Sequence, residues 1–452
     1  MKHRPPVTDQ PEIGRGSQIP PAPPRSAPFV RRLLLIALIG LAARVTIVAY
    51  AERRPARFDF PDSHRYMRVA RNIAAGRGPI DEAGRLPGRD GPTRVLAGTD
   101  PLYPVILSIG ARLGVNGADV DTASGGLMRF GRIVNVIVGT AAILMLGLFA
   151  RILTDDARIG LAAAALYAVD PITVYFTALV LTETVYVLLL LIALWAIAKA
   201  DRRGGAHLAI IAGGALGLGA AARGSGLFMP VMLIPLIWMR PRADRRGATA
   251  WTLAACITVA LTLAPTTARN YRLFGEFIPV RTGSGASLLE SLGPWADGGP
   301  GMDRIVYPSM PPDAGEAERD RISRRAALDW ARRHPWRVAS LAWAKLRRTW
   351  SITPNAPGHQ AWYFDAVGWA SVAPVFLLAV GGIWGMRGQP RRLALLLAPA
   401  VYFTLLHMVF AGSVRYRMPA MPGLFVLAAC AAMAALPGGR EQASRRAVRF
   451  DR

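Results

Sequence analysis

Cysteine is nearly absent. The 452 residues contain two, Cys256 and Cys430, each inside an apolar run and neither in a CxxC pair. That excludes a disulfide framework and a cysteine-based metal site. Histidine is also sparse. Of the six, His64 and His407 fall in interesting places, but neither has a partner at metal-ligand spacing, so no metal ligand is assigned. Charged residues make up 18% of the chain, where soluble proteins average roughly 25%. Acids are scarcer than bases, 29 against 54, giving a formal net charge of +25. Such a balance could signal nucleic acid, but no DNA- or RNA-binding motif accompanies it. The arginines sit in short loops between apolar runs, a pattern of membrane topology.

What is present in excess is hydrophobicity: 52% of residues are apolar. Repeated apolar runs of about 18 to 23 residues predict an all-α polytopic membrane protein with about ten transmembrane helices. The expected spans are 29–50, 130–153, 159–169, 179–200, 208–222, 227–239, 251–265, 364–386, 393–410 and 418–436. Arg31 and Arg32 open the first span, Arg202 and Arg203 follow the fourth, and Arg240, Arg245 and Arg246 follow the sixth. Arg387, Arg391 and Arg392 separate the eighth from the ninth. Alternating the spans from a cytoplasmic N-terminus puts these clusters inside. Both long polar loops, residues 51–128 and 266–363, then fall outside. The Pro-rich start, 1–28, lacks an A-x-A cleavage signal and reads as a disordered cytoplasmic tail, as does 437–452 at the other end. The body of the protein is the single membrane domain 29–436.

The first loop holds the most informative stretch. From Tyr66 the apolar residues recur as Tyr66, Val69, Ala70 and Ile73, a helical stripe, with Arg65, Arg68 and Arg71 largely opposite. Pro61 with Asp62 or Ser63 marks its start and Gly76 its stop. An amphipathic basic helix beside a span belongs in the headgroup layer, its arginines near lipid phosphates. Asp59 and Asp62 stand at its mouth. Taken alone, an acid there is more often an N-cap than a catalyst. Two further surface helices are expected, one at 105–113 and one at 334–350.

The same topology gathers Asp59, Asp62, Asp100, Asp170, Glu183, Arg223, Arg269 and Arg415 on the external side. Ionisable residues at membrane depth are costly and point to function. Glu183 is the sharpest, because it opens a span of Leu, Val and Ile; its alternative is a helix-start carboxylate favoured by the dipole. Asp170 before Pro171 is either a turn or a site residue. External arginines run against the usual charge bias, and arginine suits bidentate phosphate binding.

Several stretches together resemble the GT-C superfamily of lipid-linked-sugar glycosyltransferases, in particular bacterial proteins similar to protein O-mannosyltransferases and the lipid A aminoarabinose transferase. They are Asp62-Ser-His-Arg-Tyr66, Pro101-Leu-Tyr-Pro104, Arg132-Ile-Val-Asn135, Asp170-Pro171, Thr182-Glu183-Thr184 and Ala222-Arg223-Gly-Ser. Two more are Pro265 to Val280, which includes Arg269, and His407 with Gly412-Ser-Val-Arg415-Tyr416. The matches run in order over most of 29–436. The resemblance implies a GT-C-like fold with external interfacial helices, a polyprenyl-phosphate sugar donor, and a glycan, lipid or protein acceptor. It places Asp62 as catalytic base, with Asp59 competing, and Glu183 beside the pocket. Arg223, Arg269 and Arg415 are the phosphate-binding candidates. Arg65, Tyr66, Asp100, Tyr103 and Tyr416, in or beside the matching stretches, are further substrate-binding candidates. Many relatives carry Asp-Glu where this chain has Asp62-Ser63, and Pro where it has Asp100. No cofactor is required on this reading; a divalent cation could assist the phosphate. The expected setting is a bacterial inner membrane, multi-pass, with both termini cytoplasmic, membrane lipids as partners and no nucleic acid. A transporter or lipid flippase is the main rival, but no internal repeat accompanies the charges. A catalytically silent scaffold is the other.

Overall fold

The computed structural model describes residues 27–115, 125–203, 205–240, 244–355 and 361–437. The expected tails therefore lie almost wholly outside the described residues. The chain opens with α1 (Ala27–Arg53), then α2 (Pro61–Ala74), a small hairpin of β1 (Asp81–Gly84) and β2 (Thr93–Val95), and α3 (Leu102–Arg112). The bundle continues with α4 (Gly126–Thr154), α5 (Ala157–Val169), α6 (Pro171–Thr177), α7 (Glu183–Arg203), α8 (Ala206–Ala222), α9 (Met229–Leu233) and α10 (Arg245–Phe274). A second polar region carries α11 (Ser284–Leu292), α12 (Glu316–Arg333) and α13 (Pro335–Thr349). Helices α14 (Trp362–Gly385), α15 (Pro390–Val409) and α16 (Met421–Ala435) close the fold.

The protein is a polytopic helical membrane protein. Among the described residues six helices are long and apolar enough to cross a membrane: α1, α4, α7, α10, α14 and α15. A seventh arises if α5 and α6, bent by 57° at Asp170-Pro171, count as one span. The other expected spans coincide with shorter apolar helices: α8, the broken segment 224–239 and α16. Helix α4 packs against α1, α5 and α7; α8 lies between α7 and α10; α16 touches α5, α14 and α15. Small residues permit this closeness, as in membrane helix pairs generally. A Cβ on Gly213 would stand 2.3 Å from Ala255 O, and one on Gly382 would stand 2.1 Å from Leu427 O.

The ends of the helices fall at two poles. At one, Arg151 stacks over the Phe29 ring at 4.3 Å, and Arg392 pairs with Asp155 at 3.5 Å, joining the α4–α5 turn to the start of α15. At the other, the ends of α1, α8, α10 and α15 meet the starts of α7 and α16, and both long polar regions cover them.

Two features depart from expectation. The expected seventh span stops at Pro265, but α10 runs on to Phe274 and ends at Gly275, whose φ of +67° is a left-handed cap. A proline removes one backbone donor and bends a helix without always ending it. Thirty residues make a helix of about 45 Å, longer than the hydrocarbon core of about 30 Å, so α10 carries Arg269 and Asn270 beyond it. The Gly- and Arg-rich part of the first loop forms the antiparallel β1–β2 hairpin, with Asp81 opposite Val95. Arg68 of α2 holds it, its Nε 2.9 Å from Asp81 Oδ1. Arg65 likewise turns to Asp62. Both arginines thus pair with buried or half-buried carboxylates of the same region.

Candidate active site

Asp62 lies in the first turn of α2, which Pro61 starts after Phe60 in extended conformation. Phe60, at the N-cap, makes no side-chain capping bond. Asp62 Oδ1 accepts from Arg65 Nη2 at 2.6 Å, and Oδ2 faces Arg415 Nη1 at 3.1 Å. Burial alone would raise the Asp62 carboxyl, but Arg65 and Arg415 outweigh it and hold it at about 2. Asp59, the competing acid, is more exposed and bonds to His64 Nε2 at 2.5 Å.

Glu183 begins α7 and is 1% exposed. Its Oε1 accepts from Arg223 Nη1 at 2.6 Å and from Arg415 Nε. Its Oε2 is buried with no hydrogen-bond partner among the described residues. The turn before Glu183 is fixed from α4: Arg132 Nε donates to Ala178 O at 3.0 Å and Asn135 Nδ2 to Leu179 O at 2.6 Å. Tyr103 OH donates to Asn135 Oδ1 at 3.1 Å, and Glu52 pairs with Arg132. Arg223 ends α8, where Nε donates to Ser225 Oγ at 2.9 Å. Arg415 stands on the short turn Val414–Arg417 between α15 and α16. Tyr416 beside it stacks on His407 at 4.3 Å, with the Arg223 guanidinium 5.5 Å from its ring centre.

Two cavities meet here. The larger, about 1960 Å³, is walled by the hairpin, the segment 297–307 and the start of α14. The smaller, about 480 Å³, has apolar walls from Phe228, Phe277, Ile278 and Leu406 and cations from Arg223 and Arg415. Asp62, Arg65, Arg281, Arg415 and Tyr416 line both.

The remaining candidates divide by position. Asp100 and Tyr66 line the smaller cavity. Asp100 accepts from Gly224 N at 3.0 Å and pairs with Arg281 at 3.2 Å; burial pushes its carboxyl up against those two opposing partners. Tyr103 is wholly buried behind Tyr66, ring centres 5.5 Å apart, and lines neither cavity. Arg269 also lines neither: its Nη2 donates to Leu96 O at 2.8 Å. Asp170 caps α6 through a 2.8 Å bond from Thr173 N. Sequence reasoning assigned no role to Arg281, Arg132 or Asn135. The last two had a signal, a polar pair three residues apart inside an apolar helix. Among the described residues no group of three or more His, Cys, Asp or Glu side chains is placed to hold a metal ion.

The sequence model of a family described as dolichyl-phosphate-mannose-protein mannosyltransferase matches residues 123–267, from α4 through most of α10. Among curated proteins none matches in sequence. Solved structures are similar over nearly the whole chain. The apo oligosaccharyltransferase of Archaeoglobus fulgidus superposes with a TM-score of 0.55 at 14% identity, covering 93% of this chain and 52% of that one. The same organism's AglB, in complex with an inhibitory peptide and a dolichol-phosphate, gives 0.52 at 15% identity over 94% and 52%. ArnT from Cupriavidus metallidurans, bound to undecaprenyl phosphate, gives 0.50 at 12% identity over 93% and 62%. The chain spans about half the length of the oligosaccharyltransferases it matches. Low identity with near-complete coverage is a likeness of architecture: the chain shares the fold of these oligosaccharyltransferase and ArnT structures.

Proposed function

We propose that the protein transfers a sugar from a polyprenyl-phosphate donor to an acceptor hydroxyl. The observation that carries this reading is the meeting of two cavities at one Asp62–Arg415 pair. The smaller suits the donor. Its apolar walls fit an isoprenoid, and Arg223 and Arg415 offer the planar donors that bind phosphate well. Acids and arginines line both cavities, and the larger, about four times the volume of the other, has room for a hydrophilic acceptor. That two similar structures hold dolichol-phosphate and undecaprenyl phosphate supports the donor class.

The acceptor oxygen attacks the anomeric carbon while the bond from that carbon to the phosphate oxygen breaks. The electron pair leaves on phosphate, where Arg415 and Arg223 stabilise the growing charge. The hydroxyl proton passes to Asp62 as general base. A single displacement inverts the anomeric centre. Glu183 is the positioning residue: one of its oxygens holds both guanidiniums, and its burial keeps it from the acceptor. The arginine-rich turns at the pole opposite the site favour that pole as cytoplasmic and the site as external, in a bacterial inner membrane.

Purified protein in lipid membranes should move label from radiolabelled polyprenyl-phosphate mannose, or from another hexosyl or pentosyl donor of that class, to an acceptor. Folded Asp62→Asn should lose at least roughly 100-fold. Undiminished transfer by that variant would overturn the base assignment. Failure of folded wild type with every donor of the class would overturn the function.

A further inference from the structure

We infer that Arg415 couples donor arrival to the freeing of Asp62, so that the base is withheld until a lipid phosphate is seated. This rests on the glycosyltransferase reading above and adds an order of events to it.

Asp62 sits in a clamp of two guanidiniums. Both of its oxygens are held, by Arg65 at 2.6 Å and by Arg415 at 3.1 Å. A carboxylate whose lone pairs face two guanidiniums is stabilised in its charged form and takes up a proton reluctantly. It is a poor base as it stands. The two clamps differ. Arg65 lies one turn along the same helix as Asp62. Arg415 comes from the far end of the chain and is already held at its Nε by Glu183, which also holds Arg223.

A guanidinium has five N–H donors in a fixed fork. With Nε anchored on buried Glu183, Nη1 of Arg415 is the part that faces Asp62, and the residue lines both cavities. A phosphate seated between Arg223 and Arg415 competes with Asp62 for Nη1. It brings more acceptor oxygens and a charge of its own, so it takes Nη1. Asp62 then keeps one cation instead of two, becomes more basic, and faces the acceptor cavity. No atom need move far, because Glu183 keeps the guanidinium in place while its partner changes. Donor binds first, and acceptor deprotonation follows.

Competition for one cation is reciprocal. If phosphate and Asp62 share Arg415, removing the Asp62 charge must strengthen phosphate binding, and only while Arg415 is present. The experiment is a double-mutant cycle on equilibrium binding of undecaprenyl phosphate to protein in detergent micelles. Asp62→Asn should bind roughly tenfold more tightly than wild type, within the usual range of coupling between sites. In an Arg415→Gln background the same change should alter affinity by less than about twofold. Equal gains in both backgrounds would mean plain charge repulsion and overturn the proposal, as would no gain in either. Should Arg415→Gln not fold, Arg415→Lys serves. A single ammonium cannot span Glu183 and Asp62 together, so the gain should shrink there as well, and an undiminished gain overturns the proposal. Wild type that binds no undecaprenyl phosphate sinks the functional reading itself, whereas binding without the Arg415-dependent gain sinks the coupling alone.

Discussion

Arg415 joins Asp62 to Glu183, two carboxylates 121 positions apart in sequence, through opposite edges of one guanidinium. Each carboxylate then has a second cation of its own, Arg65 for Asp62 and Arg223 for Glu183. The resulting row alternates in sign from α2 through the α15–α16 turn to α7 and α8. A phosphate entering such a row has to break a pair to bind, which makes the pairs sensitive reporters.

The first prediction concerns acid. The folded Asp62 carboxyl sits at about 2, below its ordinary 3.8, because Arg65, Arg415 and more distant Arg281 overcome the burial that would raise it. The folded form therefore binds protons less readily than the unfolded one. Its contribution to stability is present above about pH 4 and is lost as pH falls from there towards 2. With the side chain 30% exposed, screening reduces that contribution to about 1 kcal/mol. Thermal unfolding of wild type and Asp62→Asn in detergent should show a constant gap above pH 5 that closes below pH 4. A gap that widens on acidification would mean that Asp62 is not clamped.

The second concerns the buried pair. Glu183→Gln leaves Arg223 and Arg415 side by side without their shared carboxylate. Breaking a buried ion pair from one side costs about 3–5 kcal/mol. A lower unfolding midpoint is expected, with weaker donor binding because the two guanidiniums repel and splay. Adding Arg223→Met should restore part of the stability, since it removes the guanidinium left without a carboxylate while Arg415 keeps Asp62. If the double variant is no more stable than Glu183→Gln, the two residues do not act as a pair.

Local patterns explain what the sequence made legible. The α2 stripe, the α13 surface helix and the order of apolar segments depend on residues close along the chain, and each falls near its expected place. Glu183, Arg223 and Arg415 stood out because charge at the rim of an apolar segment is rare, and the structure brings them together. The choice between Arg269 and Arg281 was not legible. Both lie near the Pro265–Val280 stretch. The selection is made by Asn270, which donates to Ile278 O and Val280 O, both at 3.0 Å, and folds the chain back after Gly275. That turn sends Arg281 to the cavities and leaves Arg269 against Leu96. Asp59 and Asp62 were likewise inseparable by pattern. Pro61 between them starts the helix that carries Asp62, which lines both cavities, whereas Asp59 before it lines only the larger. The hairpin escaped because its glycines and arginines carry no apolar alternation.

The last prediction tests whether the loops that roof the larger cavity are held independently of the bundle. Glu316, at the start of α12, accepts from Leu96 N at 2.7 Å and Ala97 N at 3.1 Å, and also from Thr282 Oγ1. It therefore ties the strand end of the first loop to the chain leaving α10. Next to it, Arg319 donates to Pro87 O at 2.9 Å and to Pro311 O at 3.0 Å. Glu316→Ala would strand two backbone donors near the cavity wall, a loss of about 1–3 kcal/mol each if they stay dry. Water can reach them once the loop lifts, so the loss should be local. Hydrogen exchange should rise around residues 93–98 and 281–283, with protection in α4 and α7 unchanged. Donor binding should persist, because no residue gripping phosphate moves, while transfer falls as the acceptor side loosens. Equal loss of protection in α4 and α7 would show that Glu316 supports the bundle as a whole rather than the roof.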